Sequence, residues 1–380
     1  MPDSSEPLDA GSSSGTSAGS PAAPPAAAAF PPVAVVPAAP LSPGLIVPWQ
    51  AEEEVPATPE GTAPAMIGAG FFYSATKLIL VQSLADGSLF PATVSGVPVA
   101  ARSQFFVGNN ESPQPQDRIF LTFNWYHNVN KDALSRVPEN VLIRDHRLIS
   151  KLDVFYETFG FEKTFFGNWV SIGARVPFFQ LQQREPKPRE LGAFQIAEGL
   201  DQNTIGDASL VLKTVLAYDA ISNSLLSGGL VVTLPTAPEI KVYDAYQPAF
   251  GQLGRGISTT IFQPWLGWFL DLGPVYVHGF SSISIPADDD DVYVWFLSGG
   301  VGWLLTPWFV PTLELHYFGP VNEGSDLYRQ PVGAVEQLIL TTGFHVPFYD
   351  VSTVTLGLST PLTGPDTYDV GVVAQLNLRF

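Results

Sequence analysis

The sequence predicts an all-β protein: a transmembrane, antiparallel, up-and-down β-barrel of about 12 strands behind a disordered, Pro/Ala-rich N-terminal segment. Three observations predict it. Charge is scarce although no helical membrane span exists, stretches of period-two polarity recur, and the connections between them alternate long and short.

Of 380 residues, 46% are hydrophobic and only 14% are charged, against about 25% charged in soluble domains. So little charge implies a surface that does not face water throughout. No stretch offers the roughly 18–20 unbroken apolar residues of a transmembrane helix; Gly, Pro, Ser, Thr or a charge interrupts each run. In hydrocarbon every backbone polar group needs an internal partner, so a spanning chain without such helices is a closed barrel. The chain has no cysteine, which removes disulfides, thiolate catalysis and Cys-based metal sites together. The formal net charge of −18 opposes a phosphate-tracking surface and excludes nucleic acid as a partner.

Residues 1–65 hold no Lys or Arg and are dominated by Ala, Pro, Ser and Gly. Neither a helical nor a strand period survives that much proline, so the segment reads as a disordered leader or linker. It carries seven acids (Asp3, Glu6, Asp9, Glu52, Glu53, Glu54, Glu60); removing them leaves 29 acids against 18 bases. A secretory signal peptide is not evident, because Met1-Pro2-Asp3-Ser4-Ser5-Glu6 lacks a positive start and prolines break 26–36. Residues 66–115 read as a transitional segment or plug, and 116–380 as the barrel.

Within the barrel region the last stretch is clearest. Tyr368, Val370, Val372, Ala374, Leu376, Leu378 and Phe380 share one face, opposite Asp369, Gly371, Val373, Gln375, Asn377 and Arg379. Strands are expected near 118–129, 147–159, 168–178, 207–218, 223–234, 257–270, 275–285, 291–305, 309–318, 335–346, 351–361 and 368–380. Odd-numbered connections are then long and even-numbered ones mostly short, as in barrels with external loops and periplasmic turns. The connection 160–167 is longer than that rule wants, and 286–290 is shorter. Pro264 inside the sixth stretch marks a bulge or a later strand start, since proline cannot donate to a ladder. Trp125, Tyr126, Trp169, Trp265, Trp268, Trp303, Trp308, Tyr349, Tyr368 and Phe380 lie near strand ends, where interfacial aromatic girdles form.

The final stretch resembles the C-terminal signal of bacterial outer-membrane barrels. That resemblance implies an assembly signal of Tyr368, Leu376, Leu378 and Phe380, read by the barrel-assembly machinery. Asn110-Glu111-Ser112-Pro113-Gln114-Pro115-Gln116-Asp117-Arg118, followed by an aromatic strand, is similar to the start of barrels in the phenol-degradation meta-pathway family. The resemblance spans roughly 105–380 and implies an outer-membrane transporter.

No catalytic constellation emerges. His127, His146, His278, His316 and His345 form no metal-ligand spacing, Gly-x-Ser-x-Gly is absent, and Asp145-His146 reads as a polar loop pair. Asp288-Asp289-Asp290-Asp291 lacks the spacing of a calcium loop and reads as a solvated tip. Gly228-Gly229 and Gly299-Gly300 read as strand bends. No cofactor, metal or catalytic residue is expected. The candidates for function are charged and polar residues assigned to the lumen: Arg118, Asn124, Lys151, Asp153, Glu157, Arg175, Lys213, Glu314, His316, Gln375, Asn377 and Arg379. The function expected is a porin or diffusion transporter passing small-molecule solutes through a mixed-charge lumen, surrounded by outer-membrane lipid. A barrel enzyme of the lipid-hydrolase type and a structural or adhesin barrel are the alternatives.

Overall fold

Period-two polarity becomes strand wherever it persists, and the strands close on themselves. A computed structural model describes residues 63–69, 74–83, 89–98, 106–129, 141–143, 152–183, 202–237, 259–287, 293–321, 333–334, 336–348, 351–364 and 367–380. The wall consists of β1 (Arg118–His127), β2 (Leu152–Phe165), β3 (Val170–Gln183), β4 (Ser209–Asp219), β5 (Ser224–Thr233) and β6 (Ile261–Asp271). It continues with β7 (Val275–Pro286), β8 (Val294–Trp303), β9 (Val310–Pro320), β10 (Gln337–Phe348), β11 (Ser352–Thr363) and β12 (Val370–Arg379). Each pairs antiparallel with the next, and β12 pairs with β1 from Val370↔His127 to Arg379↔Arg118. Closure leaves no sheet edge, so the ladder satisfies its own backbone groups. Of the five described strands outside the wall, four (Ser74–Ser83, Leu89–Pro98, Val141–Ile143 and Gly333–Ala334) form a small separate sheet, and Gln202–Ile205 pairs with the end of β3.

All twelve wall strands coincide with the expected stretches; their limits move by a few residues. The largest shift is in β2, which runs to Phe165 rather than ending near residue 159. Phe166, Gly167 and Asn168 take positive φ of 53°, 64° and 69° and reverse the chain directly into β3. The connection of 160–167 is therefore a tight turn, like 220–223 and 272–274. These turns mark one end of the barrel, and the long connections mark the other. Pro264 starts no bulge and delays no strand. It lies inside β6 opposite Leu230, and the ladder to β7 lapses between Phe262↔Ile285 and Trp265↔Ser282 with the register unchanged. The missing N–H falls in that gap.

The wall is inverted relative to a soluble protein. Outward positions carry Ile119, Leu121, Phe123, Phe159, Phe161, Leu212, Leu266, Leu313, Leu315 and Leu358, all exposed. Inward positions carry buried Thr122, Ser171, Ser227, Gln263, Ser282, Thr341, Thr355 and Ser359. An apolar belt around a polar interior suits lipid outside. Exposed Trp169, Trp303, Trp308 and Phe380 lie toward the turn end and Trp295 toward the loop end, as interfacial belts require. Three of the expected girdle residues do not belong to it: Tyr126, Trp265 and Tyr368 are buried and face inward. Tyr349, Asp145, His146 and 288–291 lie outside the described residues.

The lipid-facing belt gives a direct prediction. Leu315, at the middle of β9, is 45% exposed. Leu315→Arg places a guanidinium near the midplane, at a cost of roughly 2–4 kcal/mol. Urea unfolding of the protein in lipid vesicles is expected to show that loss. An unchanged midpoint would argue that this face does not meet hydrocarbon.

Candidate functional site: the filled lumen

Two segments preceding β1 thread the interior. Residues 63–69 start among Leu225, Phe269, Tyr276 and Val310, close to the tight turns, and reach Ala69, whose carbonyl accepts from Tyr368 Oη at 3.5 Å. Residues 106–117 run the opposite way. Phe106 packs edge-on against Phe296 with centroids 4.8 Å apart, toward the loop end, and Asp117 leads into β1 at the turn end. The two passes are tied together: Met66 N donates to Glu111 O (2.9 Å), Ala63 N to Gln114 Oε1 (2.9 Å) and Ser112 Oγ to Ala63 O (2.8 Å). Both passes and the wall belong to one compact unit, Glu54–Phe380.

The wall is shaped for these segments. A Cβ on Gly343 or Gly357 would lie 2.7 Å from methyls of Ile67, so two adjacent strands lack side chains where Ile67 sits. Gly68 has φ +88°, a left-handed conformation that glycine adopts without strain. Both amides at this point find one carboxylate. Ile67 N donates to Glu314 Oε1 and Gly68 N to Glu314 Oε2, each at 2.8 Å. Thr341 Oγ1 donates to Gly68 O (3.0 Å) and Gln375 Nε2 to Ile67 O (2.6 Å). The segment's backbone, which has no ladder of its own here, is thereby satisfied by side chains of the wall.

Glu314 also anchors a histidine group. His316 Nε2 lies 3.2 Å from Glu314 Oε2 and His278 Nε2 3.6 Å from Glu314 Oε1. The His278 contact spans the intervening strand because Gly300 stands between them: a Cβ there would come within 2.8 Å of Glu314 Cγ. Gly300 thus marks a close approach rather than a strand bend. Ser298 Oγ is 3.0 Å from His316 Nδ1. Serine, histidine and glutamate therefore stand in a row, but Ser298 is buried and the carboxylate is occupied by the two amides. Among the described residues no group of three or more His, Cys, Asp or Glu is arranged to hold a metal ion.

A second cluster lies toward the turn end. Glu111, from the inserted segment, receives Arg118 Nη2 (3.0 Å) and Lys213 Nζ (2.5 Å) on Oε1, and Arg175 Nη2 on Oε2. Glu162 receives Arg118 Nε (2.9 Å), Lys213 Nζ (2.8 Å) and Ser171 Oγ (2.6 Å). Arg118 also donates to Asn377 Oδ1 (3.1 Å), and Lys213 to Ser112 O (2.8 Å). All five ionic groups are buried. Three cations face two carboxylates, a sum of +1; without Glu111 the wall alone carries three against one, or +2.

Of the twelve residues assigned to the lumen, the structure brings Arg118, Arg175, Lys213 and Asn377 into this cluster. Glu314, His316 and Gln375 gather at Ile67 and Gly68. Asn124 is buried, and its Nδ2 donates to Tyr156 O (3.2 Å). Arg379, at the end of β12, has inward parity opposite Arg118. Lys151 lies outside the described residues. Asp153 and Glu157 are corrections. They share parity with Phe159 and Phe161, which are 49% and 47% exposed, so they point away from the lumen; Glu157 is half-buried, and Asp153 is buried beneath its neighbours on that face. Asp153 is tolerated there because Trp125 Nε1 (3.2 Å) and Asn128 N (3.2 Å) donate to it and His127 Nδ1 lies 3.0 Å away, near the loop-end rim. Glu157 pairs with outward Phe123. Tyr368 is a third correction. The regular strand starts only at Val370, so Tyr368 escapes the alternation of Leu376, Leu378 and Phe380 and turns inward, its ring 5.1 Å from that of Tyr126. The residues not anticipated from sequence are Glu111, Glu162, His278, Ser298, Ile67 and Gly68. Glu162 carried a local signal, on the parity opposite Phe159 and Phe161, and so did Ser298, opposite Trp295, Leu297 and Val301.

No protein-family model matches the sequence, and no curated protein matches it. Solved structures of similar shape are outer-membrane proteins and porins. An outer membrane channel of the COG4313 group from Pseudomonas putida F1 is 12% identical, with a TM-score of 0.49 over 70% of this chain and 96% of that one. The NanC porin is 8% identical, with a TM-score of 0.39 over 69% of this chain and 98% of that one. The outer membrane phospholipase of Salmonella typhi, a dimer with bound calcium, is 12% identical, with a TM-score of 0.36 over 70% of this chain and 91% of that one. The chain is itself a closed antiparallel transmembrane β-barrel: its wall and apolar outer belt carry that statement.

Proposed function

We propose that the protein is an outer-membrane channel for small molecules, held shut in this state by its own residues 63–69 and 106–117. The observation that carries the reading is the chemistry of the lumen contacts. Glu111 and the backbone of 66–68 meet the wall through ion pairs and hydrogen bonds. Water can replace such contacts, so withdrawal of the segments leaves a wet, charged bore; the apolar packing of Met66, Phe106 and Val107 against the wall opposes that exchange and keeps openings rare. Twelve strands enclose a bore between that of the side-chain-filled eight-stranded barrels and that of the open porins. Selection then rests on bore radius and on wall charge.

The full chain in planar bilayers is expected to show rare, discrete current steps above a closed baseline. A bilayer that stays silent across a broad set of salts and solutes would remove the channel reading. The row of Ser298, His316 and Glu314 favours one second reading, a hydrolase. Phospholipid incubated with the protein is expected to stay intact, and fatty acid released only while Ser298 is present would replace the channel by an enzyme.

A further inference from the structure

The cage around Glu111 is built by the wall and not by the residue that fills it. Its cations come from three strands: Arg118 from β1, Arg175 from β3 and Lys213 from β4. The two guanidinium carbons each lie 4.8 Å from the centroid of the Phe120 ring, which supports both. Arg118 is further held by Glu162 and Asn377, and Lys213 by Glu162. With one wall carboxylate against three cations, the wall by itself attracts an anion. The arriving group uses both oxygens, one for Arg118 and Lys213 and the other for Arg175, which is the demand a carboxylate meets. A cleft of about 20 Å³, room for about one water, adjoins the cage: Arg175, Thr122, Asn124, Tyr156 and Thr158 line it from the wall and Ile67 and Asn109 from the inserted segments, so withdrawal of those segments widens a polar space beside the cations.

We propose that Arg118, Arg175 and Lys213 form a carboxylate-binding site on the channel wall, that Glu111 occupies it as a tethered stand-in while the channel is closed, and that small carboxylates are the solutes it recognises when the segment withdraws. The solute class rests on the channel reading; the carboxylate site does not. A tethered carboxylate enjoys a high effective concentration, so free carboxylates do not compete measurably in the wild type. Removing Glu111 exposes the site.

Glu111→Ala deletes the two carbons that acetate supplies. In the purified full chain, acetate is expected to raise the heat-modifiability midpoint of Glu111→Ala by several degrees and saturably. Acetamide and chloride leave it unmoved, and acetate leaves the wild type unmoved. Equal effects of acetate, acetamide and chloride would overturn the site whatever the bilayer records. Should Glu111→Ala fold in none of these, Glu111→Gln in planar bilayers decides: acetate, and not acetamide, must reduce its current, and an acetate-insensitive current overturns the proposal. If acetate rescues Glu111→Ala while every bilayer stays silent, the site stands and the channel reading, with its solute class, falls.

Discussion

Glu314→Ala is expected to release residues 63–69 from the lumen. Its carboxylate is the acceptor for two buried amides, Ile67 N and Gly68 N. A buried donor left without a partner costs about 1–3 kcal/mol, so the pair costs roughly 2–6 kcal/mol. At about 1.4 kcal/mol per tenfold, even the low end shifts the plugged population by about 30-fold. Single-channel recording should show a large rise in open probability, and amide exchange at 66–68 should accelerate in parallel. Glu314→Gln keeps one carbonyl oxygen and is expected to fall between wild type and Glu314→Ala. Unchanged current together with unchanged exchange would mean that the segment is held by packing, through Ile67 on Gly343 and Gly357, and not by this carboxylate.

Charge balance, more than the number of bonds lost, is expected to decide stability in the Glu111 cluster. Glu162→Gln takes the five-group sum from +1 to +2, and Lys213→Met takes it from +1 to 0. Breaking a buried ion pair by removing one partner costs about 3–5 kcal/mol when a charge is stranded. Glu162→Gln takes from Arg118 and Lys213 one of their two carboxylates and leaves three buried cations on Glu111 alone, so it should suffer that loss in urea unfolding from lipid vesicles. Lys213→Met leaves two carboxylates with two guanidinium groups and should lose clearly less. The reverse order would show that the bonds from Lys213 to Ser112 O and Gln114 O, which anchor the inserted segment, outweigh the electrostatics.

How far the sequence could be read differs between wall and filling. In β12, Leu376, Leu378 and Phe380 against Gln375 and Asn377 already distinguish the lipid side from the lumen, because alternation is a property of neighbouring residues. In β2 the same reasoning failed for Asp153 and Glu157. Placing charges inward conflicted with Phe155, Phe159 and Phe161 on the same parity, and the aromatic majority set the phase. A lipid-facing carboxylate costs less than a lipid-facing cation, and Asp153 is also covered by Trp125, His127 and Asn128, so the two acids could be carried outside.

The sequence by itself determined a closed antiparallel barrel, twelve strands, and long connections at one end with tight turns at the other. Each follows from local periodicity and turn chemistry, which need no knowledge of distant residues. Only the tertiary structure decided that the lumen is filled, and by what. Glu111 meets Lys213 across 102 residues, and Ile67 meets Glu314 across 247. Such contacts arise from closure of the sheet, which brings inward side chains of distant strands around one axis. No periodicity in the chain encodes which isolated carboxylate or backbone amide will stand on that axis.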